Sequence, residues 1–410
     1  MLIFHATAPN DAGPLIRALA EVRRALAERQ CGAFLAAGAD ASEVVAGPPD
    51  GLTFGERLVA ELRARGMVTA TGRSGAAAVP TSAAVPTSRA VLPGGLVVLG
   101  SGSIPLATAA DLRRFVDVAA GPGGRALANN RYSADAVAIS RAADLAELPP
   151  LPADNALPRW LEERAGVAVA DLRYRWRLSI DVDTPLDLIV LRDPAASGLL
   201  ATAPLIGERL AALADVMSNR RAELLVAGRI SASTLKWLEG GVACRVRALV
   251  EERGLRAASR LAQADAVAAT PATPAAPAAP APPVARRATA DATADATPQR
   301  PPHSILGELL DRDGPEAFAQ TIARLADAAV IDTRVLMAHR HGADETAWPS
   351  SEDRFASDLL LGASIADPWL RALTASAAAA PPDGPILLGG HTLVNGGLRL
   401  LATRARAGTR

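Results

Sequence analysis

The run Leu96-Val-Val-Leu-Gly100-Ser-Gly-Ser-Ile-Pro105-Leu-Ala-Thr108-Ala-Ala-Asp111-Leu112 decides the fold. Four apolar residues make a short strand, small residues make a turn, and Thr108 with Asp111 three positions on marks a capped helix start. A strand running into such a turn and helix is one βα unit of a doubly wound, mostly parallel sheet, where ligands bind beyond the carboxyl ends of strands. Outward from this unit the alternation repeats. Toward the N-terminus the pattern predicts strands at Leu2–His5 and Ala33–Ala36, and helices at Gly13–Arg29 and Phe54–Arg65. Toward the C-terminus it predicts a helix from Asn155 to Arg164, a strand at Arg177–Ile180 and a helix starting at Pro185.

A second region repeats the logic. Strands are expected at Glu223–Ala227, Arg245–Val250, Ala328–Ile331 and Ile386–Leu388. Helices are expected at Ala232–Glu239, Ile305–Leu310, Glu316–Leu325 and Ile365–Ala379. Between these segments, residues 262–302 are an Ala-Pro-Thr repetition whose prolines forbid helix and central strand, so a disordered tether is expected there. Thr69–Pro93 reads as an enlarged surface loop. The expectation is therefore a two-domain α/β protein, with one domain at 1–192 and a smaller three-layer α/β domain from 193–261 and 303–410.

Composition narrows the function classes. Among 410 residues, Lys+Arg 43 balances Asp+Glu 43, which speaks against a chain whose main task is gripping nucleic acid. Lys236 is the one lysine. Cys31 and Cys244 lie far apart without metal-ligand spacing, excluding a disulfide scaffold and a structural zinc site. No run approaches the roughly 20 apolar residues of a membrane span. The opening Met1-Leu-Ile-Phe-His5-Ala-Thr-Ala-Pro9 shows no signal-peptide pattern, so a cytoplasmic protein without membrane or nucleic-acid partners is expected.

Two further segments carry chemistry in the N-terminal half. In Ser179-Ile-Asp181-Val-Asp183-Thr184-Pro185-Leu-Asp187-Leu188, two carboxylates alternate at an expected strand end before a proline-started helix. Such oxygen ligands suit Mg²⁺ beside a phosphate, and equally suit a helix cap. In Ala128-Asn129-Asn130-Arg-Tyr-Ser-Ala-Asp135, a polar loop leads into the apolar Ala136–Ile139. The asparagines either stabilise that loop or touch a substrate. Asp154-Asn155 reads as the N-cap of the helix carrying Trp160.

Together these segments resemble the nucleotidyltransferases with a glycosyltransferase-A-like fold, nearest the molybdenum-cofactor nucleotidyltransferases and the 2-phospholactate guanylyltransferases. Asp181 to Leu188 is similar to their late D-[IV]-D-T-P-x-D-L signature, and Gly100 to Leu112 to their strand-turn-helix. Gly55-Glu56-Arg57-Leu58 resembles the G-E-R helix of related proteins. The likeness covers roughly residues 1–192. It implies a Rossmannoid sheet and transfer of a nucleotidyl group from GTP or CTP to a phosphorylated small molecule in cofactor biosynthesis. It further implies Mg²⁺ on Asp181 and Asp183, with Ser101, Ser103, Asn129 and Asn130 lining the nucleotide or acceptor pocket. The chain departs from the family in two places. Its first turn, Ala6-Thr-Ala-Pro9-Asn10, lacks the glycine pair and lysine, and Gly102 stands where the family has an aspartate. A catalytically degenerate binding module is the alternative these departures favour.

The C-terminal half offers a possible second site at expected strand ends. Asp332 and Arg334 follow one strand, and Asp353 and Arg354 lie in a loop-to-helix region with Trp348. Gly389-Gly390-His391-Thr392-Leu-Val-Asn395-Gly-Gly397 follows the last strand. Glycines there either expose backbone N–H groups to an anion or let elements pack closely. The charged residues form either a metal or phosphate site or a buried ion-pair network. His339 and His341 point too far apart to ligate one metal together.

Overall fold

The computed structural model describes residues 1–68, 94–251, 303–342 and 344–408. The Thr69–Pro93 loop and the 262–302 tether expected from sequence lie outside the described residues. The chain is α/β, with one mixed and one parallel sheet. The first sheet is built from β1 (Leu2–Ala6), α1 (Pro14–Ala36), β2 (Glu43–Gly47), α2 (Phe54–Ala64), β3 (Leu96–Gly100) and α3 (Ala109–Ala120). It is completed by β4 (Arg125–Ala128), β5 (Ala136–Ile139), α4 (Leu157–Glu163) and β6 (Ala168–Asp171). Strand order is β2-β1-β3-β5-β4-β6, and only β5 runs antiparallel to its neighbours.

The reason β3 is apolar at every position is that both of its faces are covered. Leu96 and Val98 pack with Leu58 and Leu62 of α2 and Trp160 of α4. Val97 and Leu99 pack with Phe34 of α1 and Phe115 of α3. Thr108 caps α3 reciprocally with Asp111, as the spacing predicts.

Two expected strands are something else. Ala33–Ala36 is the last turn of α1, whose buried Ala27, Gln30 and Phe34 follow helical spacing. A four-residue apolar run cannot be told from a buried helical turn by its composition. The strand that pairs with β1 is the half-exposed β2 instead. Arg177–Ile180 is mostly a 3-10 turn at Trp176–Ser179, because the chain here crosses the carboxyl edge of β3 rather than joining the sheet. A single bridge, Ser103 to Asp181, marks the crossing.

Helices α5 (Pro185–Leu191), α6 (Ala196–Thr202) and α7 (Pro204–Ser218) lead into the second sheet. It comprises β7 (Glu223–Gly228), α8 (Ala232–Gly241), β8 (Arg245–Val250), α9 (Ile305–Leu325), β9 (Ala328–Asp332), α10 (Thr333–His341) and α11 (Ser351–Asp358). It ends with α12 (Pro368–Ala378), β10 (Ile386–Gly389) and α13 (Leu398–Gly408). All strands are parallel, in the order β10-β9-β7-β8. Because β8 and β9 flank β7 on opposite sides, the order reverses at β7, and a crevice opens beyond the ends of β7 and β9. The two helices expected between 305 and 325 are both present within α9: Gly314, at φ 78° and ψ 166°, leaves the helical region and separates them at a kink before Pro315.

The apolar core of the second sheet takes in α1 of the first and the helices that follow it. Leu19 and Leu26 of α1 and Val182 and Leu186 near α5 pack with β7, β9 and β10 residues. Polar ties reinforce the junction: the Glu352 carboxylate accepts the Leu15 and Ile16 N–H groups at 2.9 and 3.1 Å. The Thr392 hydroxyl donates to the Asp181 carbonyl at 3.0 Å. A Cβ on Gly396 would lie 2.4 Å from Ile180, so only glycine permits this approach. Among the described residues no helix is long and apolar enough to cross a membrane.

Candidate active site between the two sheets

The turn after β3 sits where the first sheet reverses its strand order, between β1 and β3. Ser101 donates its backbone N–H to Phe4, and its hydroxyl lies 3.1 Å from His5 Nδ1. Burial first, then the nearby Arg23 and Arg24 charges, holds His5 below its ordinary pKa, so the ring is neutral at pH 7. Ser101 and Ser103 are both buried. Gly102 has a packing reason: a Cβ there would meet the Val182 carbonyl at 2.6 Å and Arg23 Nε at 2.9 Å. No aspartate fits this position. Next to it Ile104, fully buried, adopts φ 44°, a left-handed conformation that is an outlier for a β-branched residue. Its N–H points to Asp181 Oδ1 at 3.4 Å.

Four aspartates gather at this edge: Asp135, Asp154, Asp181 and Asp183. Asp181 is half-buried and Asp183 exposed, either side of the buried Val182. The Asp135 and Asp181 carboxyls lie close enough to act on each other's titration. Desolvation, then the Asp154 charge, pushes Asp135 up to about 7. Desolvation also raises Asp154, to about 6, with Asp183 adding to the push. Asp181 is raised well above the carboxylate range by burial, then by Asp135 and Asp183. Among the described residues no cation makes a contact ion pair with any of the four, although the Arg23 charge reaches Asp154 and the Asp183 charge reaches Arg334. Uncompensated carboxylates at a cleft are a costly arrangement that a cation relieves.

Asp154 is not the cap expected from sequence. It opens a 3-10 turn at Asp154–Ala156, and α4 begins after Ala156 with no side-chain cap. Asn129 is a latch: its amide donates to Asp135 Oδ2 at 3.0 Å and to the Leu178 carbonyl at 2.9 Å. Its oxygen accepts the Asp135 and Ala136 N–H groups, so it fixes Asp135 in place. Asn130 closes the local turn through Tyr132 N–H. Asp187 accepts the Asp183 and Thr184 N–H groups at the start of α5, and burial, then Asp183, lifts it to about 7.

The second group of residues adjoins the first. Asp332, fully buried at the end of β9, forms a two-point ion pair with Arg229 at the end of β7, at 2.6 and 3.1 Å. Burial alone would raise Asp332, but Arg229 and then His391 hold it below the carboxylate range. A Cβ on Gly228 would lie 2.3 Å from Asp332 Cβ, which keeps this strand end bare. Arg334 pairs with Glu345, and Arg354 reaches the same carboxylate at 3.7 Å. Burial, then Arg229, lowers Arg334 to about 10, while the Asp183 charge works against that. Asp183 therefore links the acidic edge to the arginines electrostatically. Buried Asp358 is raised by desolvation, then by Asp187 and Asp332.

The remaining candidates are structural. Asp353 accepts the Ala366 and Asp367 N–H groups and orders that loop. Asn395 binds Arg229, Ser231 and His391 atoms together. Gly389 makes room for Leu393 and Leu186, whereas Gly390 faces open space. The segment after β10 continues as a π-helical turn, Leu393–Gly397, so close packing accounts for its glycines. Asp135, Asp154, Arg23 and Arg229 escaped sequence reasoning. Arg229, one residue past a strand ending in glycine, carried a readable signal; Asp154 resembled an ordinary cap.

His303, Glu308 and His339 are the described residues that bring three ligand atoms within 4.8 Å of one another. His339 Nδ1 already accepts the Ser304 N–H at 3.1 Å, and Nε2 faces Asp311 at 3.4 Å. A neutral imidazole has one lone pair, and here it is spent. The four aspartates do not form so close a group, and any Mg²⁺ there would take one or two of their carboxylates with phosphate oxygens and water. Compared with family models, curated proteins and solved structures, the chain matches none.

Proposed function

We propose that this cleft binds a nucleoside triphosphate with a divalent cation and transfers its nucleotidyl group to a phosphorylated small molecule, on a nucleotidyltransferase-like Rossmannoid domain. The carrying observation is the set of four unpaired aspartates at the β3 edge, adjoining arginines from the second sheet. Asp181 and Asp135 are the pair best placed to hold Mg²⁺, with Asp183 at the rim. The resemblance adds GTP or CTP as donor. When bound, the metal neutralises charge on the phosphate under attack. Asp135 and Asp181 are both raised, so they must lose their protons to hold the metal, which ties binding to pH. Arg334 and Arg354 offset the charge of the departing phosphates. Asn129 fixes Asp135, and neutral His5 orients the Ser101 turn.

A second reading, a degenerate module that binds without catalysis, is favoured by one contact. Glu352 occupies the start of α1, the N–H groups that would otherwise be free for an anion. Thermal shift with GTP, CTP, ATP and UTP, with and without Mg²⁺, tests both. A ligand at 100 times its dissociation constant stabilises by about 2.7 kcal/mol. A Mg²⁺-dependent shift that Asp183→Asn abolishes, with pyrophosphate released when acceptor is added, supports transfer. A shift without turnover supports the module, and no shift with any nucleotide refutes both.

A further inference from the structure

Arg334 and Arg354 lie over one indole, their guanidinium carbons 5.3 and 5.8 Å from the Trp348 ring centre. The indole N–H is fixed to the Gly342 carbonyl at 2.8 Å, so the platform is held in one orientation. Among the described residues Glu345 is the carboxylate that meets both cations, while the Asp332 and Asp183 charges reach Arg334 and the Asp358 charge reaches Arg354. The Nε–H of each arginine is buried and has no acceptor among the described residues. Each guanidinium therefore keeps a donor unspent in a place where an unsatisfied donor is costly.

Glu345 differs from the other acid at this crevice. Asp332 is fully buried and bound at two points, whereas the Glu345 side chain is 45% exposed on a three-residue 3-10 turn, Glu345–Ala347. It can turn to solvent without breaking a helix or strand.

We propose that Arg334 and Arg354 on Trp348 bind a pyrophosphate group, and that Glu345 occupies this site until the anion displaces it. A planar guanidinium fork matches phosphoryl oxygens at two points, and two forks match the two phosphorus centres of pyrophosphate. A single carboxylate satisfies neither fork fully. On the nucleotide reading the phosphates lie on the arginines and the reacting end lies toward the aspartates. The assignment rests on the nucleotide reading above and identifies which part of the nucleotide the second sheet holds.

Isothermal titration of the full chain with inorganic pyrophosphate in EDTA tests it. Wild type binds, Glu345→Gln binds about tenfold more tightly, and Arg334→Met and Arg354→Met each bind at least tenfold more weakly. Circular dichroism melts verify that each variant is folded; should Arg334→Met unfold, the Arg354→Met and Glu345→Gln pair decides alone. Unchanged affinity in the arginine variants, or no gain in Glu345→Gln, overturns the assignment. Failure of the nucleotide reading is separable. Pyrophosphate binding that needs the arginines, beside no Mg²⁺-dependent nucleotide shift, removes the transfer reading and keeps the site. A nucleotide shift indifferent to both arginines does the reverse.

Discussion

Asp135→Asn isolates the acidic cleft. In the native chain burial, then the Asp154 charge, pushes the Asp135 carboxyl up to about 7, against 3.8 in the unfolded chain. An acid with a raised native pKa makes the folded state hold more protons than the unfolded state between those values. Stability therefore falls as pH rises through the window from about 4 to 7. A shift of about 3 units at 1.36 kcal/mol per unit sets a ceiling of about 4 kcal/mol. Asparagine keeps the shape and supplies an N–H to Asp181, imitating the protonated acid at every pH. The variant should exceed wild type by about 1–2 kcal/mol at pH 5 and about 3–4 kcal/mol at pH 8.5. Urea unfolding in EDTA, followed by tryptophan fluorescence at both pH values, measures the difference. Wild type should recover stability when Mg²⁺ is added at pH 8.5, and the variant should recover less. A difference that stays constant from pH 5 to 8.5 would refute a crowded cluster of raised carboxyls.

Three other perturbations probe how the two sheets are joined. Asp332→Ala strands the Arg229 guanidinium beside Arg334 and should cost about 3–5 kcal/mol in denaturant unfolding; adding Arg229→Met should return most of that loss. Glu352→Ala removes the acceptor for two N–H groups at the start of α1 and should cost about 1–2 kcal/mol by thermal melting. Gly396→Ala drives a methyl against Ile180 and should cost about 1–3 kcal/mol, a penalty that Ile180→Ala should reduce in a double-mutant cycle. Additive costs for the last pair would mean the two residues do not meet.

The alternation of strands and helices was legible because each unit states itself locally. β3 is apolar throughout, Thr108 and Asp111 cap each other, and the strands of the second sheet lie where their apolar runs predict. Local reading failed where length could not separate a helical turn from a strand, as at Ala33–Ala36, and where a chain crosses a sheet edge, as at Arg177–Ile180. The Asp181–Asp183 signature likewise announced an acidic strand edge. Its partners did not announce themselves, because Asp135 and Asp154 are ordinary loop acids until the fold stacks them beside it.

Long-range contacts made the difference. Two segments that looked like separate sites, near Asp181 and near Asp332, adjoin because Thr392 binds the backbone of a residue 211 positions away. Glu352 reaches across 337 positions to cap α1, a contact that no spacing rule contains. By itself the sequence determined the βα units, their caps and the acidic motif, since these follow from backbone preference and apolar period over a few residues. Only the tertiary structure decided that four aspartates gather at one edge and that Arg334 of the second sheet lies within reach of Asp183. Desolvation and Coulomb forces act through space, so which charges meet is set by how α1 and α5 pack into the core of the second sheet.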